Sequence, residues 1–235
     1  MKTERACRYG IGALMIHLFA LGCGGDPTPG SDSGQPNNTE LAAPAGDTAD
    51  VDRTDGGTAK PQEKAPFPIV TVDTNFGTFE ITLDIENAPM TVDNFLYNYV
   101  QRKCYDNTIM HYSTNDIVMA GGYQADLTEI APRAPVRNES DNGLTNEIGT
   151  VAMSRSPEYP HSATSQFFVN LGKNSVFDYE ADAEEDKKWG YTVFGKVTSG
   201  LDVIERIARQ PTHNTEAMEN TPAEPVIIRS IRRRR

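Results

Sequence analysis

The stretch Ser162-Ala163-Thr164-Ser165-Gln166-Phe167-Phe168-Val169-Asn170 decides how the rest of the chain is interpreted. It places a run of small polar residues directly before Gln-Phe-Phe. Because successive side chains of a strand point to opposite faces, Gln166 and Phe168 share one face and Phe167 lies on the other. One face therefore carries an amide beside a flat ring, a pair suited to hold a peptide group and an apolar ring together. An ordinary strand gives the same pattern, so the neighbouring segments must decide.

Composition limits the possible functions. The chain has 235 residues, a net charge of −11 and 37% hydrophobic residues, which indicates one domain with extra segments that do not pack. The negative charge argues against nucleic acid as a partner, and the arginines at 229 and 232–235 are typical of a solvated tail. The three cysteines and four histidines lack metal-ligand spacing, so we expect no metal and no cofactor.

The N-terminus predicts export. Lys2, Arg5 and Arg8 precede an apolar run at 11–22, which is too short to span a bilayer and fits a signal peptide over 1–22. The run ends in Ala20-Leu21-Gly22-Cys23 and resembles the bacterial lipoprotein processing box, with Ala20 where Leu is commoner. This resemblance implies lipidation of Cys23 and attachment to a membrane. The alternative is an ordinary secretory signal with an incidental cysteine.

Residues 23–67 are predicted to be a disordered tether. They are rich in Gly, Pro, Asp, Thr and Ala and poor in aromatic and β-branched residues, so they bury too little apolar surface to offset chain entropy. A coil of this length reaches roughly 35 Å. It would hold a folded domain, residues 68–235, close to the membrane.

Short strands dominate the predicted domain. Residues 68–73 and 78–83 alternate as a hairpin around Asn75-Phe76-Gly77. Thr91 is placed to cap a helix with one apolar stripe, made by Val92, Phe95, Leu96, Tyr99 and Val100. Further strands are predicted at 117–119, 149–153, 166–170, 191–197 and 224–231, and a second helix at 200–209. Many strands, two helices and no βαβ rhythm indicate a mainly β fold, a closed barrel with helical caps.

Several separated motifs, in order along residues 68–231, resemble the cyclophilins, and most closely their periplasmic bacterial branch. The resemblance implies an eight-stranded antiparallel barrel capped by two helices, and peptidyl-prolyl cis-trans isomerase activity without metal or cofactor. The motifs are Phe76-Gly77, Ala88-Pro89-x-Thr91-Val92-x-Asn94-Phe95, Tyr105-Asp106-Asn107-Thr108, His111, Gly121-Gly122, Asn146-Glu147-x-Gly149-Thr150-Val151-Ala152-Met153, residues 162–168, and Val193-Phe194-Gly195-Lys196-Val197.

The catalytic set implied by the resemblance is His111, Tyr112, Gln166 and Phe168. In cyclophilins an arginine directly after the histidine is aimed at the prolyl amide, and here Tyr112 stands in its place. His111, Gln166 and Phe168 match the family's histidine, strand amide and pocket ring. The site is therefore expected to keep its apolar floor and to lack its charged donor.

The pocket wall implied by the resemblance consists of Ile117, Val118, Ala120, Phe177 and Tyr191. Ala120 replaces the glutamine that orders the arginine in the family, so the two losses are linked. Val176 and Phe177 stand at the family's (Trp/Phe)-Leu positions. The charged segment 178–188 is predicted to be a solvated loop, with a partner-binding insertion as the alternative.

Three functions remain open at this point. We expect a prolyl isomerase that assists the folding of exported proteins, slowed by the loss of arginine. It would be a monomer, lipid-anchored in a bacterial cell envelope, facing the periplasm or the exterior, and would take X-Pro segments as substrates. The alternatives are a non-catalytic module that binds proline peptides and a structural envelope lipoprotein with a vestigial pocket. An open apolar groove is expected for the first two.

Overall fold

The computed structural model describes residues 67–184, 188–216 and 218–234. Ten strands follow one another: β1 (Ile69–Thr74), β2 (Gly77–Leu83), β3 (Thr108–Ser113), β4 (Ile117–Gln124), β5 (Thr150–Met153), β6 (Phe167–Asn170), β7 (Val193–Ser199), β8 (Thr212–His213), β9 (Thr221–Pro222) and β10 (Val226–Arg233). Eight of them close into an antiparallel barrel in the order β1-β10-β3-β4-β6-β5-β7-β2, and β8 pairs with β9 outside it. The predicted barrel is confirmed, with β3 as a strand that the periodicity alone did not indicate.

The hairpin β1–β2 shows how alternation fills the barrel. Val72 pairs with Phe79 and Val70 with Ile81, and all four side chains are buried in the interior. Their neighbours along each strand face outward and are more exposed. The same period of two, repeated around the barrel, builds one continuous apolar core.

Helix α1 (Pro89–Asp93) continues directly as a π-helical segment, Asn94–Val100. Its predicted stripe is buried against the barrel: Val92, Phe95, Leu96, Tyr99 and Val100. The predicted cap is wrong, because the helix begins at Pro89 and Thr91 lies inside it. The Thr91 hydroxyl instead donates to Oε2 of Glu139, 2.7 Å away, and the backbone N–H of Thr91 donates to the same oxygen at 2.9 Å.

Helix α2 (Leu201–Ala208) is the second helix that packs on the barrel, and it confirms the second predicted helix. Val203, Ile204 and Ile207 are buried against the barrel. Gly200 precedes the helix at φ +77°, and a Cβ on it would lie 2.6 Å from the carbonyl oxygen of Thr78. Only glycine therefore fits this left-handed turn between β7 and α2.

The predicted signal peptide (1–22) and all of the predicted tether (23–67) except Phe67 lie outside the described residues. Within the described part of the chain, no helix is long and apolar enough to cross a membrane. In the charged segment 178–188, Glu180, Asp182 and Glu184 are exposed. A backbone hydrogen bond joins the two ends of this segment: the Glu180 N–H donates to the Lys188 carbonyl at 2.9 Å.

Candidate functional site

Strand β6 separates two apolar regions, as its alternation predicted. Phe167 points into the barrel, where it meets the rings of Phe95 and Tyr105, both at centroid distances of 5.6 Å. Phe168 points outward into a second, smaller cluster. The two adjacent rings are equally buried, each 1% exposed, although they belong to different regions.

The second cluster is the centre of the candidate site, and we call it the outer patch. Strands β4, β5, β6 and β7, the loops before β5 and β7, and the 3₁₀ turn Ser175–Phe177 contribute to it. Its members are Ile117, Met119, Leu144, Ala152, Phe168, Phe177, Tyr191 and Val193. Of the predicted wall, the structure thus brings Ile117, Phe177 and Tyr191 to Phe168.

Two predicted wall residues lie elsewhere. Val118 and Ala120 are each 2% exposed and belong to the barrel interior, so the expectation that they contact substrate is corrected. The physical reason is strand alternation: in β4, Ile117 and Met119 face outward while Val118 and Ala120 face inward. Met119 is the residue that motif matching missed, although a strict period of two starting from Ile117 would have indicated it.

The floor of the outer patch is covered by its own rings. Phe177 and Tyr191 both meet Phe168 edge-on, with centroids 5.6 Å away and interplanar angles of 72° and 76°. They also meet each other, at 5.0 Å and 61°. These rings explain why Phe168 is almost inaccessible. The open groove expected from the sequence is therefore filled by aromatic side chains.

Gln166 lies beside the outer patch with its amide held from two sides. On one side the Gln166 side chain packs on Gly122, where a Cβ would lie 2.8 Å from Cδ of Gln166, so a larger residue would displace the amide. On the other side it lies beside the imidazole of His111, whose pKa it raises. The NH₂ group of a glutamine amide is a donor that suits a peptide carbonyl.

His111 is a buried, neutral neighbour of this amide. It is 4% exposed, its ring meets Tyr123 edge-on at 4.9 Å, and its Nδ1 has no hydrogen-bond partner among the described residues. Burial lowers the pKa of His111 to about 4, while the Ile109 backbone and the Gln166 side chain oppose that shift. The imidazole is therefore uncharged at neutral pH.

Tyr112 lies on β3 next to the outer patch. It is paired with Met119 across β3 and β4. Burial raises the pKa of Tyr112, and the nearby carboxylates of Glu219 and Asp116 raise it further, while the Asn220 side chain opposes them. The phenol is thus uncharged at neutral pH. Tyr112 therefore offers no charged donor at this position.

A guanidinium does lie at the outer patch, but on another residue. The Cζ atom of Arg155 sits 4.9 Å from the centroid of the Tyr191 ring. Its Nε donates to the Gly190 carbonyl at 3.0 Å and its Nη1 to the carbonyls of Ser156 and Pro157 at 2.8 and 3.2 Å, while its Nη2 donates to the Trp189 carbonyl. Burial lowers the pKa of Arg155, and Tyr191 opposes that shift. Four of its donor contacts go to the protein backbone, so Arg155 fixes Tyr191 and the adjoining loop.

The turn that carries Phe177 is held by buried amides. The side chain of Asn146 donates to the Phe177 carbonyl at 3.0 Å, and its backbone N–H donates to Oδ1 of Asp178 at 2.6 Å. The Asn170 side chain in turn donates to Oδ1 of Asn146 at 3.1 Å. The backbone on either side of Phe177 is therefore anchored to β6.

Other concave surfaces lie apart from the outer patch. Two depressions, of about 410 and 350 Å³, run along the π-helical segment, and the second is also lined by Met90 and residues 134–137. Neither includes a residue of the outer patch. In the described ranges, no group of three or more His, Cys, Asp or Glu residues could hold a metal ion.

Comparison with known sequences identifies relatives over nearly all of the described chain. The profile of the family described as "Cyclophilin type peptidyl-prolyl cis-trans isomerase/CLD" matches residues 69–233. Peptidyl-prolyl cis-trans isomerase cyp18 of Streptomyces antibioticus is 39% identical over 164 residues, which cover 69% of this chain and 96% of that protein. Peptidyl-prolyl cis-trans isomerase B of Escherichia coli is 38% identical, with 69% and 98% covered. Both relatives are little longer than the segment that matches this chain.

Comparison with solved structures supports the same fold. A cyclophilin type peptidyl-prolyl cis-trans isomerase of Cryptosporidium parvum superposes with a TM-score of 0.57 at 20% identity, covering 72% of this chain and 98% of that one. A second structure of that protein, in the presence of the dipeptide Ala-Pro, superposes with a TM-score of 0.56. At this identity the likeness concerns the barrel and its helices alone.

Proposed function

Since the chain belongs to the cyclophilin-type peptidyl-prolyl cis-trans isomerases, we propose that it isomerises X-Pro bonds of exported proteins, more slowly than relatives that carry an arginine where Tyr112 stands. The observation that carries the reduced rate is the residue type at this position: Tyr112 stands where the family has arginine, and its phenol, whose pKa burial raises, carries no positive charge. The proline ring would lie over Phe168 and the flanking carbonyl would accept from Gln166.

The reaction needs no covalent intermediate. Rotation about a peptide bond meets a barrier of roughly 18–20 kcal/mol because the nitrogen lone pair is delocalised into the carbonyl. Catalysis requires only that the twisted amide be bound more tightly than the planar one. Gln166 can hold a neighbouring carbonyl, and the outer patch can hold the ring, but both act on the planar and the twisted forms. A charged donor aimed at the prolyl amide would favour the twisted form.

The contribution that a charged donor at position 112 would make to the rate can be estimated. A hydrogen bond from a charged group contributes about 1.5–3 kcal/mol. If that donor acts chiefly in the transition state, its absence lowers the rate by about ten- to a hundredfold, since each 1.36 kcal/mol is tenfold. The proposed activity is thus low but measurable above the uncatalysed rate.

The test is isomerisation kinetics of residues 68–235 with the tetrapeptide Ala-Ala-Pro-Phe, coupled to proteolysis of the trans form. We expect a slow wild-type rate and, for Tyr112→Arg, an increase in kcat of about ten- to a hundredfold. Tyr112→Phe is the matched control, because it removes the hydroxyl without adding charge and should give no gain. A wild-type rate equal to that of the Escherichia coli relative, measured side by side, would contradict the proposal.

A second candidate is a non-catalytic module that binds proline peptides. The residue at position 112 favours it, because the neutral phenol of Tyr112 cannot supply the charged donor that the family aims at the prolyl amide. Peptide binding without any acceleration of isomerisation, in wild type and in Tyr112→Arg alike, would establish this alternative.

The proposed location rests on the sequence of the N-terminus. The run at 11–22 ending in Ala20-Leu21-Gly22-Cys23 supports export and lipidation of Cys23, and hence a monomer tethered in a bacterial envelope. Labelling with a radioactive fatty acid and detergent-phase partition of the full chain should both be lost in Cys23→Ala. Partition of wild type into the aqueous phase would reject the anchor.

A further inference from the structure

The two rings that cover Phe168 are held very differently. Tyr191 lies under the guanidinium of Arg155, 4.9 Å from its centroid, and directly precedes the buried residue Thr192. Phe177 is half-buried, and its ring contacts are the edge-on meetings with Phe168 and Tyr191. Val176, beside it in the 3₁₀ turn, is 81% exposed, so the turn lies at the surface. Both rings are half-buried, but Phe177 sits in this surface turn while Tyr191 lies under a guanidinium, so Phe177 is the ring whose side chain can rotate towards solvent.

The backbone around Phe177 is fixed and cannot carry the ring away from Phe168. Its N–H donates to the Asn174 carbonyl at 2.8 Å, and its carbonyl accepts from Tyr191 N–H at 2.8 Å and from the Asn146 amide at 3.0 Å. A Cβ on Gly190 would lie 2.3 Å from that same carbonyl oxygen, which shows how closely the two backbones pack. The movable part is thus the side chain, and rotamer changes of partly exposed side chains take picoseconds to nanoseconds.

We propose that the Phe177 ring occupies the space over Phe168 that a prolyl ring requires, and that it acts as an internal competitor which must swing outward before an X-Pro peptide binds. Phe177 is then a residue that sets the apparent affinity of the site. The inference rests on the proposed function, because it takes X-Pro peptides to bind over Phe168. The family resemblance implies leucine at this position, and the larger ring of Phe177 supplies the additional volume that fills the patch.

By occupying the space over Phe168, the Phe177 ring raises the apparent dissociation constant of the protein for an X-Pro peptide. The apparent dissociation constant equals the intrinsic one divided by the fraction of molecules whose patch is open. Edge-to-face aromatic contacts of the kind Phe177 makes favour the closed form, so removing them should tighten binding by about two- to tenfold. The effect belongs to binding and should appear in KM and Kd, with little change in kcat.

The test compares wild type with Phe177→Leu, which keeps an apolar wall but shortens it, and with Phe177→Met, which is unbranched and flexible. KM for Ala-Ala-Pro-Phe is measured by coupled isomerisation. Kd for the same peptide is measured separately by fluorescence of Trp189, the only tryptophan in the chain, whose carbonyl is bonded to Arg155 beside the patch. Tyr97→Leu is the control, because Tyr97 is an exposed ring on the π-helical segment outside the patch.

A Kd that falls about two- to tenfold in Phe177→Leu, falls in the same direction in Phe177→Met and is unchanged in Tyr97→Leu would support the internal competitor. An unchanged or raised Kd in both Phe177 variants would overturn the internal competitor and show that Phe177 is simply part of the pocket wall. If Kd falls while no protein isomerises the peptide, the competitor stands and the proposed turnover fails. If turnover is present but Kd does not fall, the competitor fails and the proposed function stands.

Discussion

The barrel interior and the outer patch are both apolar, but they are built in different ways. The interior is completed by every barrel strand, and residues such as Val72, Ile81 and Ile231 are fully buried in it. In the outer patch only Ala152, Phe168 and Val193 are buried, and five half-buried side chains surround them. A core enclosed on all sides resists change, whereas a layer with one face towards solvent can rearrange by rotating side chains.

This difference separates stability from function within a single strand. Phe167 and Phe168 are adjacent, equally buried and chemically identical, yet one closes the interior and the other forms the floor of the patch. The Phe167-Phe168 pair therefore serves both the stability of the interior and the floor of the outer patch, and substitutions can test the two roles separately.

The largest expected effect is on the interior ring. Phe167→Ala removes edge-on contacts with Phe95 and Tyr105 and leaves a cavity that the closed barrel cannot fill, so it should lower the free energy of unfolding by about 3–5 kcal/mol. Phe168→Ala should lower it by less than Phe167→Ala does, because the surrounding half-buried side chains can move inward and fill the space. Chemical denaturation of residues 68–235 measures both. Equal losses would show that the patch is as rigid as the interior.

The next effect concerns pH and His111. Because its folded pKa is about 4 and lies below the ordinary 6.5, the unfolded chain binds the proton first, and stability is full above pH 6.5 and falls as pH drops towards 4. The shift corresponds to a loss of roughly 3 kcal/mol over that window, at 1.36 kcal/mol per pH unit. Carboxylates also titrate below pH 5, so the slope must be compared with that of a variant.

The informative comparison is the pH slope of the unfolding free energy in His111→Gln. It should be shallower than in wild type between pH 6.5 and 4, whatever the stability at neutral pH. His213→Gln is the control, because it makes the same substitution at an exposed histidine on β8. Identical slopes in wild type and His111→Gln would mean that the buried imidazole is not the group that titrates.

The sequence predicted the interior better than the patch, for a physical reason. A period of two in the strands and the stripe on α1 report burial locally, so the barrel, both helices and the split of Phe167 from Phe168 could be read directly. Motif matching carried Val118 and Ala120 to the patch although they face inward, and it passed over Met119. The contacts of Phe177 and Tyr191 with Phe168, and those of Arg155, join segments that lie far apart in the chain. No local sequence pattern encodes the side-chain rotamers that decide whether a groove is open.

The smallest expected effect would distinguish the two covering rings. Arg155→Lys keeps the charge but cannot reproduce the fork of bonds to the carbonyls of Ser156, Trp189 and Gly190, so Tyr191 loses its support. A looser wall binds peptide less well, and KM should rise by roughly two- to fourfold while kcat stays unchanged, which corresponds to about 0.4–0.8 kcal/mol of binding free energy. Arg206→Lys on the surface of α2 should change neither constant, since that side chain pairs with exposed Asp202. The sign is what matters: loosening Tyr191 should weaken binding, and shortening Phe177 should strengthen it. If both substitutions move KM in the same direction, the two rings form one wall, and the distinction between a pinned ring and a displaceable one is lost.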